Sequence, residues 1–71
     1  MTRRRRVAVN RLIVNDETFV NCIVEICDGV IYDYFTFDEE QPFTEWVGGT
    51  WNVVKDAEGK MRAIRDGIML I

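Results

Sequence analysis

The chain has 71 residues, 48% of them hydrophobic and 30% charged, with a net charge of −3 at neutral pH. That balance belongs to a folded domain rather than a disordered segment, and the apolar runs fall far short of the roughly 20 residues needed to cross a bilayer. With no histidine and only two cysteines, the chain lacks the usual general base near neutral pH, the commonest zinc ligand and the familiar Ser-His-Asp and Cys-His arrangements, so a non-enzymatic protein without metal or cofactor is expected.

At this length residues 1–71 make a single small domain, in which folding buries roughly 60% of the unfolded chain's surface. Association with a second copy would widen a thin margin, so a homodimer is expected. The N-terminal arginines are not followed by the apolar segment of a secretion signal. Cys22 and Cys27 stand an odd number of residues apart, which on one strand places them on opposite faces where they cannot bridge. Reduced thiols in a cytoplasmic protein follow.

Taken in order, "RRVAVNRLIV" is rich in β-branched residues and predicts a strand over Arg5 to Val14, with a turn at Asn15 to Glu17. "TFVNCIVEIC" and "VIYDYFTF" flank Asp28-Gly29, a strong hairpin signal because a type I′ turn needs positive φ at both central residues. A two-residue loop there sets Cys27 against Val30 and Ile26 against Ile31. One face then carries Val20, Cys22, Val24 and Ile26 opposite Phe37, Phe35, Asp33 and Ile31, with Asp33 the single polar member. The other face carries Ile23 and Tyr34 among mixed neighbours, able to support a second layer or a partner.

"DEEQPFTEWVGG" loses the alternation and predicts a loop, with room for a helical turn around Pro42 to Trp46, ended by Gly48-Gly49. Phe43 and Trp46 are expected over an open end of the sheet. "TWNVV" predicts a short strand, "KDAEGK" a turn, and "MRAIRDGIMLI" a last strand that breaks at Asp66-Gly67. The whole reads as all-β: about five mostly antiparallel strands in a small sandwich or open barrel, with one long loop.

"RLIVNDETFVNCIVEICDGVIYDY" resembles the opening of amidohydrolase-superfamily enzymes. The matching positions are Leu12, Val14 and Asn15, then Ile23, Glu25 and Ile26, then Asp28-Gly29 with Val30 and Ile31. "TWNVVKDAEGK" is similar to the strand and turn before that family's Pro-Gly-x-Ile-Asp-x-His-x-His motif, with Gly67 and Met69 at its glycine and aliphatic positions. Asp66 replaces the proline and Leu70 the aspartate, and no histidine is present. The resemblance therefore implies the family's small β-sandwich without its catalytic barrel, and no functional residue. "TEWVGGT" is similar to segments of short bacterial proteins for which no activity is known.

Arg3, Arg4, Arg5 and Arg6 admit three uses: solubilising an edge strand while pairing with the acidic loop, neutralising phosphates of a nucleic acid, or docking to a membrane or protein. A net negative chain makes nucleic acid the less expected partner. Asp38, Glu39 and Glu40, with Glu45 nearby, lack the spacing of a calcium loop and read as a solvated segment. Asp33 either meets an arginine such as Arg11 at the rim, stands where the strand ends or bulges, or marks a site through a raised pKa. Tyr32, Tyr34, Trp46 and Trp51 are candidates for interface or core packing. Cys27 would be the more reactive thiol if exposed. The candidate interaction residues are thus Arg3 to Arg6, Tyr32, Asp33, Tyr34, Trp46 and Trp51, in a module that binds a second copy or another protein. Its alternatives are a nucleic-acid-associated protein and an accessory subunit that docks to a separate enzyme.

Overall fold

A computed structural model describes residues 3–71, and every regular element in it is a strand. The strands are β1 (Arg4–Val14), β2 (Glu17–Cys27), β3 (Val30–Thr36), β4 (Glu45–Trp46), β5 (Thr50–Lys55), β6 (Met61–Arg65) and β7 (Ile68–Met69). They form one mixed sheet in the order β3-β2-β1-β5-β6-β7, not closed into a barrel, and β4 pairs with β1 beside β5. The all-β expectation and the break at Asp66-Gly67 hold, and four of the six pairings are antiparallel. The helical turn does not form. Pro42-Phe43 makes a turn, and Glu45–Trp46 then runs parallel to β1.

β1 lies in the middle of the sheet, antiparallel to β2 on one side and parallel to β4 and β5 on the other. Arg4, Arg5 and Arg6 pair with β2 on one side, and among the described residues no strand pairs with them on the other. At Val7 to Ala8 the neighbour is β4, and at Arg11 to Ile13 it is β5. The changeover is made by Val47, Gly48 and Gly49, the two glycines at φ 73° and 77°, a left-handed conformation that glycine adopts without steric cost. Asn10 clamps this step twice: its side-chain oxygen accepts from Gly49 N–H at 2.6 Å, and its own N–H donates to Gly49 O at 3.0 Å.

The same position marks an exchange of faces. Before it, Val7 and Val9 point into the core with their partners Val24 and Cys22; after it, Leu12 and Val14 do. An uninterrupted strand would place Arg11 rather than Leu12 inside, since alternate residues share a face. The partner strand swaps in step, because Asn21 sits at φ 54° and leaves Phe19 packed against the core while Val20 is exposed. Alternation alone predicts Val20 on the core face, and the kink is the reason it is not there.

The β2-β3 hairpin begins as its turn predicts, with Cys27 opposite Val30 and Ile26 opposite Ile31. A bulge between Glu25 and Ile26 then advances β3 by one residue, so Val24 meets Tyr34, Ile23 meets Phe35 and Glu25 meets Asp33. A one-residue slip sends each later side chain to the other face. Asp33 is consequently exposed on the outer face, not a polar intruder in the core, and the bulge anticipated there is its cause.

The core consists of Val7, Val9, Leu12, Val14, Cys22, Val24, Ile26, Ile31, Trp51, Ala63 and Leu70, flanked by Phe19, Tyr34, Val47, Val53 and Met61. Each Val, Leu or Ile fully buried there contributes about 1.5–3 kcal/mol. The sheet curls around this cluster, bringing the Asp28-Gly29 turn to β6, where Arg62 Nη1 donates to Asp28 O at 3.2 Å. Gly29 is buried at that contact with φ 81°, and a Cβ on it would lie 2.8 Å from Arg62 Nη1 and 3.2 Å from the Ile71 side chain.

Candidate functional site

The outer face of the sheet has its own buried patch. Ala8 and Ile23 sit opposite each other on β1 and β2, 5% and 0% exposed, yet neither belongs to the main core. What covers them is the segment 37–46, which crosses this face before β4 joins β1. Between segment and sheet lies a cleft of about 250 Å³ lined by Ala8, Ile23, Phe37, Glu40, Gln41, Thr44 and Trp46.

The cleft is held in shape from below by Arg6. Its guanidinium stands over the Phe35 ring at 5.5 Å, donates to Gln41 Oε1 at 3.2 Å and lies 3.8 Å from a Glu25 carboxylate oxygen. Gln41 in turn donates to Glu39 O at 3.3 Å, and Thr44 Oγ1 donates to Pro42 O at 3.0 Å, which closes the tip of the loop. At that tip Phe43 is 99% exposed on a backbone of φ 55°. Trp46 forms a wall of the cleft while remaining 63% exposed. Trp46 thus stands beside β1 on the outer face rather than over an open end of the sheet, while Phe43 projects from the loop tip.

Arg5 secures the far end of the loop, donating from Nε to Glu45 Oε2 at 2.9 Å and from Nη1 to Ile71 O. The Arg5 side-chain hydrogen bond is the main reason the Glu45 carboxyl is held below its ordinary value. Arg5 and Arg6 are accordingly structural: Arg5 pairs with Glu45 next to the acidic loop, while Arg6 meets Glu25 of β2 and the neutral Gln41. Arg3 and Arg4 are exposed, with the Arg3 N–H donating to Asp28 Oδ1 at 2.8 Å. Asp38, Glu39 and Glu40 are also exposed and take part in no ion pair among the described residues.

The other candidates scatter. Tyr34 is half-buried against Phe19, with ring centroids 5.7 Å apart, and Tyr32 is exposed on the outer face of β3. Trp51 is a core residue, 4% exposed, whose Nε1–H donates to Gly48 O at 2.8 Å and whose ring meets the Arg65 guanidinium at 5.0 Å. It belongs to the changeover between β4 and β5, not to a surface. Cys22 is buried, and burial pushes its thiol pKa up, whereas Cys27 is half-buried beside the turn. No group of three or more His, Cys, Asp or Glu side chains arranged to hold a metal ion occurs among the described residues. Among the described residues no helix is long and apolar enough to cross a membrane.

Phe37, Gln41 and Thr44 were not legible as site residues, because only the fold brings them over Ala8 and Ile23. The one available signal was Ile23 on the face assigned to a second layer. The chain matches no protein-family model, no curated protein and no solved structure.

Proposed function

We propose that this chain is a non-catalytic interaction module of the cytoplasm that works as a homodimer, joined along the β7 edge of its sheet. The observation that carries the proposal is the apolar character of that edge: Ile68, Met69 and Ile71 are 67%, 42% and 56% exposed. Among the described residues β7 is hydrogen-bonded to β6 alone, which leaves its outer backbone groups open to a further strand. A second copy of the same edge, related by a two-fold axis, satisfies those groups and covers the three side chains together. The absence of histidine supports a binding rather than a catalytic role, and two unpaired cysteines support a reducing compartment. The resemblance to the amidohydrolase β-sandwich supplies the alternative partner, a separate enzyme subunit covering the same edge.

Sedimentation equilibrium at micromolar concentration tests the proposal. Twice the mass of 8.3 kDa is expected for the native chain, and 8.3 kDa for the Ile68→Lys, Ile71→Lys double variant. A native chain that sediments as a clean monomer overturns the dimer.

A further inference from the structure

We propose that the cleft between the outer face of β1-β2 and the segment 37–46 is a docking site for a lysine or arginine side chain of a basic partner peptide. The proposal is independent of the dimer edge, which uses β7.

Size is the first argument. At about 250 Å³ the cleft falls below the roughly 300–1,000 Å³ of sites that enclose whole small-molecule ligands. It suits one long side chain entering from outside. Its floor is apolar, made by Ala8, Ile23 and Phe37, and its mouth is polar, with Glu40, Gln41 and Thr44. That gradient matches a lysine or arginine, whose methylene stem lies on apolar surface while the charged head stays near water.

Charge is the second. Among the described residues Glu40 is the only charged side chain in the lining, and Asp38 and Glu39 precede it in the same exposed segment. The nearby cations are already committed: Arg5 to Glu45, and Arg6 to Glu25, Gln41 and the Phe35 ring. The mouth therefore carries an uncompensated negative potential, which attracts a basic segment and repels an acidic one. Trp46, a lining residue that is 63% exposed, adds an aromatic face for a cation.

Backbone strain is the third. A phenylalanine at φ 55° adopts a left-handed conformation that is strained for an L-residue. Burial of the side chain does not offset that strain, because Phe43 is 99% exposed. The turn holds an aromatic ring out beside the cleft, where it would cover the residue next to the inserted cation.

The test is a titration of the 71-residue native chain, observed by NMR at the two indole N–H signals, with acetyl-Lys-Leu-Lys-amide as probe and acetyl-Gln-Leu-Gln-amide as its neutral counterpart. The lysine peptide is expected to shift the Trp46 signal saturably at millimolar concentration and to leave Trp51, hydrogen-bonded in the core, in place. The Glu40→Gln variant, altered at an exposed residue, should bind about fivefold more weakly. Added salt should weaken binding in the native chain more than in the variant. Equal shifts from the neutral peptide, unchanged affinity in Glu40→Gln, or no saturable shift at Trp46 would each overturn the proposal. So would a Trp46 signal that moves on dilution of the chain alone, which would make a second copy's arginines the occupant.

Discussion

Replacing Asn21 tests the exchange of faces between β1 and β2 most directly. At φ 54° this residue occupies a region that asparagine tolerates, glycine enters freely and a β-branched side chain resists. Asn21→Val should therefore destabilise the fold by about 1–2 kcal/mol. A straightened strand offers no escape, since it would turn Phe19 outward and bring Val20 inward, breaking the contacts of Phe19 with Tyr34 and the core. Against a total of about 4–11 kcal/mol for a chain of this length, the loss lowers the melting temperature by about 5–15 °C. Asn21→Gly should stay within about 0.5 kcal/mol of the native chain, because relief at positive φ offsets the extra freedom of the unfolded state. The backbone bond from Phe37 N–H to Asn21 O, 2.9 Å long, is open to both variants. Urea denaturation followed by tryptophan fluorescence gives both values, with an unchanged slope showing that the same surface is exposed. A valine variant as stable as the native chain, together with a weakened glycine variant, would mean that residue 21 is extended and that the faces do not exchange.

The Asp56 carboxyl is held below its ordinary value, first by the Lys60 backbone N–H and then by the Arg62 side chain and the Glu58 N–H. Because its folded pKa is the lower one, its contribution is complete above the ordinary aspartate range and is lost as pH falls through the folded value. Asp56→Asn should flatten that acid limb of a stability-against-pH curve measured by urea denaturation, and a curve of unchanged shape would count against the assignment. The thiols should differ as well: with a disulfide reagent under native conditions Cys27 reacts first, while buried Cys22, its pKa raised, reacts only after unfolding. Mass mapping of the labelled chain checks this, and early labelling of Cys22 would refute its burial.

What was legible in the sequence was local, and what was hidden depended on register. Asp28-Gly29 announces its own turn, and Asp66-Gly67 its own break, because positive φ is written in the residues that tolerate it. The register beyond Ile26 was not legible, since a bulge is one extra residue with no composition of its own, and that residue moved Asp33 from the core to the surface. Asn10 and Asn21 were polar interruptions of two β-rich runs, visible as such, but the exchange of faces requires both strands and the Gly48-Gly49 step at once. The cleft was hidden for a similar reason. Its acidic loop and Trp46 could be read, while the floor of Ala8 and Ile23 exists only where β4 pairs beside β1.

The central placing of β1 has a consequence for how the fold is reached. Its parallel partner β5 begins 39 residues after Arg11, at Thr50. The β1-β2-β3 meander can pair early and locally, but half of β1 then waits with an open side until β5 arrives. Pairings of long sequence separation close slowly, since loop entropy is spent before contacts reward it. During synthesis the nascent meander therefore carries an exposed central strand, rich in valine, isoleucine and leucine, until β5 and β6 have emerged.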